Sequence, residues 1–107
     1  MTQPYTLFKD IAAEIEVPPN GILSRTVFNN DHMKVVVFGM DKGQELSEHT
    51  AAMPAVVHVL EGEASLRLGG DVHDAAAGTW IHMPPNLAHS VTAVTPLIMV
   101  LTLIKKP

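Results

Sequence analysis

Two stretches decide how this chain folds: Gly43–Gly62, GQELSEHTAAMPAVVHVLEG, and Gly78–His89, GTWIHMPPNLAH. In the first, Ala55–Leu60 (AVVHVL) is a short apolar run of strand character. It exits at Gly62, where the missing Cβ frees the backbone for a sharp change of direction. In the second, Trp80–Met83 (WIHM) reads as another strand, and Pro84-Pro85-Asn86 as the turn that hands the chain back toward His89. Each stretch therefore carries one histidine at a strand end: His49 after Glu48, and His89 after the proline turn.

The rest of the chain has the same texture. Ile22–Phe28, Met33–Met40, Ala64–Leu68, Ser90–Val94 and Leu97–Ile104 are short apolar or alternating runs. Turn residues separate them: Pro18-Pro19-Asn20-Gly21, Asn29-Asn30-Asp31, Asp41-Lys42-Gly43 and Gly69-Gly70-Asp71. Leu66–His73 reads as a hairpin about Gly69-Gly70, with Arg67 and His73 near each other on its outer side. The only helix candidate is Phe8–Glu16, FKDIAAEIE, long enough for a turn or two. Many short strands at this spacing predict an all-β sandwich or barrel. With 107 residues, no repeat and no linker, the chain reads as one domain over 1–107.

Composition excludes several functions. Seven basic against eleven acidic residues argue against nucleic acid as the main partner. No apolar run approaches the roughly 20 residues that span a bilayer, and MTQPYTLFKD is not a signal peptide, so no membrane role is expected. The absence of cysteine rules out disulfides and thiolate metal sites and fits a cytoplasmic protein. There is no glycine-rich phosphate loop, no HExxH, no nucleophile elbow and no carboxylate pair placed for glycoside hydrolysis.

The two stretches resemble the paired motifs of the cupin family, G-x5-H-x-H-x3-E-x6-G and G-x5-P-x-G-x2-H-x3-N. Gly43, His49, Gly62, Gly78, Pro84 and His89 match. Ala51 stands at the second His, Ala55 at the Glu, Asn86 at the second-motif Gly and Ala93 at the Asn. The resemblance runs over residues 43–93 and is nearest to small single-domain cupins of the conserved-barrel type. It implies a double-stranded β-helix, or jelly-roll barrel, here with a short N-terminal helical turn. It also implies a small-molecule pocket at one mouth, a divalent transition metal (Zn, Fe, Mn, Ni or Cu) and a homodimer. The implied activity is a metal-dependent oxygenase or isomerase acting on a small organic molecule. The alternative is a non-catalytic binding or sensor protein with a degenerate metal site.

His49 and His89 take the family's metal positions, and imidazole suits any of those metals. A catalytic site usually wants three protein donors, and Ala51 and Ala55 supply none. His58 and His82 are the candidate replacements, with Glu48 as a further one. Strand alternation argues against both histidines: if position 55 faces the pocket, His58 points away, and Ile81 and Met83 leave Trp80 and His82 outward. Met53, Val57, Val59, Met83, Val91 and Met99 are the expected pocket lining.

Overall fold

The computed structural model describes residues 4–105. Among these residues nine strands follow a 3-10 turn at Ile11–Glu14. They are β1 (Ile22–Asn29), β2 (Met33–Met40), β3 (Glu45–His49), β4 (Ala55–Glu61), β5 (Glu63–Leu68), β6 (Asp71–Ala76), β7 (Trp80–Met83), β8 (His89–Ala93) and β9 (Leu97–Ile104). Two antiparallel sheets face each other: β1-β2-β9-β4-β7 and β3-β8-β5-β6. This is the expected jelly roll. The apolar and alternating runs become strands because their inward residues have a second sheet to bury against. The polar pieces β3 and β6 were not legible as apolar runs; they form because β8 and β5 offer them hydrogen-bonding edges.

Register defines the interior. Val57, Val59, Leu97, Met99, Met83 and Met40 line the larger sheet's inner face, opposite Ala64, Leu66, Val91 and Ala93 of the smaller one. Ala64 pairs with both Ala93 and Ala75, so one end of the smaller sheet is a row of alanines. At the other end, His49, His89 and Leu68 share a row across β3, β8 and β5. The first end is closed by close packing; the second is the mouth. The hairpin after β5 turns at Gly69-Gly70, but Arg67 pairs with Val72 and His73 with Leu66. Arg67 and His73 therefore lie on opposite faces, not together, because pairing with odd and even neighbours alternates.

A second, smaller cluster sits on the outer face of the larger sheet. Val37, Ile98 and Val100 are covered there by Ile11, Ala12, Ile15 and Val17 of the N-terminal segment. Gly39 permits this contact: a Cβ at position 39 would run into the Glu16 carbonyl. Part of the apolar outer surface that the sequence exposes is thus covered by the chain itself. No described helix is long and apolar enough to cross a membrane.

Asp41 pins the N-terminal segment to the β2–β3 turn. Its carboxylate accepts hydrogen bonds from the backbone N–H of Asn20 (2.7 Å) and of Lys42 (2.9 Å). Those two bonds, Asn20 first, hold the Asp41 carboxyl below its usual 3.8. The folded state thus favours the carboxylate. Its stabilising effect is present above that ordinary value and disappears as pH falls through the lowered one. In Asp41→Asn, the stability deficit relative to the parent is expected to be constant above about pH 5 and to shrink toward about pH 2. Urea unfolding across that range checks it; parallel curves would show that Asp41 is not responsible.

Candidate functional site

A bulge in β3 aims His49. Glu45 pairs with Thr92, Leu46 with Val91 and His49 with His89, so β3 spends one residue more than β8 over the same interval. Unbroken alternation from Leu46 would turn His49 outward; the extra residue returns it to the inner face. The same bulge puts Glu48 on the outer face, beside Glu45 and across from Ser90. Glu48 is therefore not available inside the barrel.

Each imidazole is anchored by its own strand. His49 Nδ1 lies 2.7 Å from the Ser47 carbonyl oxygen, and His89 Nδ1 lies 2.9 Å from that of Leu87. A carbonyl only accepts, so both Nδ1 atoms carry the hydrogen. In the neutral rings both Nε2 atoms are then acceptors, and neither has a hydrogen-bond partner among the described residues. The ring centroids are 4.2 Å apart, with the planes tilted by 58°. His89 is 8% exposed while His49 is open to solvent, so the pair marks the mouth.

The turn before β8 sets His89. Pro84-Pro85-Asn86-Leu87 has the pattern of a type II turn, with proline second and Asn86 third at φ 67°. Asn86 N–H donates to the Ala51 carbonyl at 2.7 Å. Position 51, where the family motif has a histidine, thus acts here through its backbone and ties the two motifs together. Asn86 for glycine is accommodated because asparagine tolerates this conformation.

Behind the rings lies a cavity of about 110 Å³, lined by His49, His89, Phe38, Leu46, Val57 and Val91 with Met99 and Leu101. Val57, Val91 and Met99 of the expected lining are present. Val59 and Met83 are buried in the core cluster, outside this lining. Met53 is half-buried on the loop before β4 and also lies outside it. Phe38, Leu46 and Leu101 were missed. Their inward parity was readable, but not that β2 and β4 both flank β9, where Phe38 faces Met99 and Leu101 faces Val57.

His58 and His82 are not brought to this cavity. His58 pairs with Trp80, and His82 with Val56, on the outer face of the larger sheet; both are exposed, and Trp80 is 62% exposed. Buried Ala55, Val57 and Val59 occupy the inward positions of the same strand. The family's metal centre therefore meets an incomplete donor set. Two imidazole nitrogens are present, Ala55 adds only a methyl group opposite Met83, and the remaining walls are apolar. Among the described residues no three or more His, Asp or Glu side chains are grouped to hold an ion. These residues do not fit a resident three- or four-ligand centre.

The comparisons agree with this architecture. The family model described as a cupin domain matches residues 36–104. A conserved protein of unknown function from Streptococcus pyogenes is 29% identical, with a TM-score of 0.84 over 100% of this chain and 92% of that one. A cupin superfamily protein from Desulfitobacterium hafniense DCB-2 is 20% identical, with a TM-score of 0.86 over 99% of this chain and 95% of that one. An RmlC-like cupin from Shewanella frigidimarina NCIMB 400 is 25% identical, with a TM-score of 0.77 over 81% and 78%. No curated protein matches the chain.

Proposed function

The chain belongs to the cupin domain family, and from that premise we propose that it binds a small, mainly apolar molecule at the barrel mouth, held by His49 and His89. One observation carries the reading: two imidazoles with unpartnered Nε2 acceptors cap a cavity otherwise walled by carbon and one thioether. Such a site asks for a ligand with an apolar body and an O–H or N–H donor. A ligand that covers these acceptors without offering a donor leaves them unsatisfied, which is costly, so the donor is what distinguishes the ligand from a plain hydrocarbon. The cavity, about 110 Å³, is smaller than the roughly 150 Å³ that accommodates benzene. A single ring is thus the upper limit, seated only in part within the cavity, with its polar substituent out at the mouth between the imidazoles.

The chemistry this pair supplies is hydrogen-bond acceptance and proton transfer at Nε2, with Nδ1 and its carbonyl fixing each ring. That suffices for binding, and for polarising a weakly acidic hydroxyl. The metal-dependent oxygenase or isomerase is the weaker reading, because it would rest on the same two nitrogens alone. Self-association also remains a proposal; it rests on the uncovered strip of His58, Trp80, His82 and Ile104.

Phenol is the probe, with toluene as the control of matched shape. Phenol is expected to raise the melting temperature equally with and without EDTA, because a ligand binding only the folded state stabilises it. Toluene should bind about tenfold more weakly, and His89→Ala should weaken phenol by a similar factor of about ten, the scale of one hydrogen bond. Phenol binding that EDTA abolishes would overturn the reading. So would near-stoichiometric transition metal in untagged protein that is lost in His49→Ala; this would restore the metal enzyme.

A further inference from the structure

The outer face of the smaller sheet carries a groove that this function does not use. Its volume is about 300 Å³, and it is lined by Glu45, Glu48, Ser65, Arg67, Ser90 and Thr92, with Val72 at one side. Register lays these residues out as a grid. One row runs Glu45, Thr92, Ser65; the next runs Ser90, Arg67, Val72. The β3 bulge adds Glu48 beside Glu45, at the Ser90 end of the second row. Carboxylates therefore stand on β3, hydroxyls form the floor on β8 and β5, and a guanidinium stands on β5.

The charges do not neutralise one another. The only ion pair among the described residues is Arg25 with Glu14, at the far side of the fold. Arg67 forms none with Glu45 or Glu48, which stand two strands away beyond β8, a backbone separation of about 9.6 Å. Asp74, which pairs across from Ser65 on the remaining flank, forms none with it either. Opposite charges placed directly across adjacent strands stabilise a sheet face. Here Glu45 and Glu48 stand beyond β8 from Arg67 over a floor of three hydroxyls, and Asp74 stands only at the diagonal position on β6.

We propose that this groove binds a linear zwitterion, an ω-amino acid or a short peptide with free termini. Its carboxylate meets Arg67, its ammonium meets Glu45 and Glu48, and its middle lies over Ser65, Ser90 and Thr92. Charge complementarity selects this occupant: an anion alone faces two carboxylates, and a cation alone faces the guanidinium. A guanidinium receives a carboxylate through paired N–H donors, which sets the direction in which the ligand lies.

The test titrates the full chain with 6-aminohexanoate, following the backbone amides of Glu45, Glu48, Ser65, Arg67, Ser90 and Thr92 by NMR. Hexanoate and hexylamine are the single-charge controls. Saturable shifts at these amides are expected below about 10 mM, with each control weaker by about tenfold, the scale of one charge-assisted contact. Arg67→Gln, and separately the double variant Glu45→Gln, Glu48→Gln, should each weaken binding by a similar factor of about ten. All of these substitutions are on the surface, and unchanged unfolding midpoints confirm that the fold is kept. No saturable shift, hexylamine binding as tightly as the zwitterion, or Arg67→Gln without effect would each overturn the proposal. The phenol titration reads the other face of the sheet, so the two proposals fail independently.

Discussion

Gly62→Ala is expected to destabilise the fold by about 3–5 kcal/mol, combining the cost of a left-handed non-glycine residue with that of forced repacking. Gly62 has φ +87° at the turn from β4 to β5. A Cβ there would overlap the Pro96 carbonyl oxygen, and would come within 2.9 Å of the Pro96 carbonyl carbon and 3.1 Å of Leu97 Cα. The obstacle is backbone, so no rotamer change relieves it. The backbone in question starts β9, which pairs with both β2 and β4 at the centre of the larger sheet. Thermal and urea unfolding are the measurements, with a fall in Tm well beyond about 10 °C expected for a domain of this size. A Tm within about 3 °C of the parent would show that this corner yields easily and that the close approach is not a constraint.

Leu97→Ala should cost about as much, roughly 3–5 kcal/mol, by emptying the same corner instead of crowding it. Leu97 is fully buried, pairs with Met40, itself fully buried, and belongs to the main core cluster. Its loss removes apolar burial and leaves a space that the rigid crossing of β9 against the β4–β5 turn cannot close. Urea unfolding reads this directly, and a loss below about 1 kcal/mol would mean the corner collapses freely. The two variants share the backbone at residues 96 and 97, so their effects should not add. A double variant less destabilised than the sum by at least about 0.5 kcal/mol is expected, because alanine at 97 leaves room for the displaced backbone.

Most of the fold was legible because its signals are local. Alternation along Ala55–Leu60 and Trp80–Met83 placed Val57, Val59 and Met83 inward and His58, Trp80 and His82 outward. The turns at Gly62 and Pro84-Pro85-Asn86 could be read from residue chemistry, and Asn86 does take the left-handed conformation. The polar strand β3 was not legible, since its partner β8 is distant in sequence, and β6 was legible only as the second arm of the hairpin about Gly69-Gly70. The helix candidate at Phe8–Glu16 shrank to the turn Ile11–Glu14, its apolar side chains drawn down onto Val37, Ile98 and Val100.

For the site, what could be read directly were the two histidines, the methyl groups where further donors would stand, and the sheet faces of the residues on β4 and β7. These follow from residue identity and a period of two. The rest came from the packing of the two sheets: the bulge that returns His49 to the barrel, the carbonyls that set both imidazole tautomers, and the Phe38 and Leu101 walls. That packing also decided the separation of Arg67 from Glu45 and Glu48 across β8. The physical reason is that a bulge breaks the period without changing composition. Strand neighbours are chosen by two sheets packing face to face, over separations that no local pattern records.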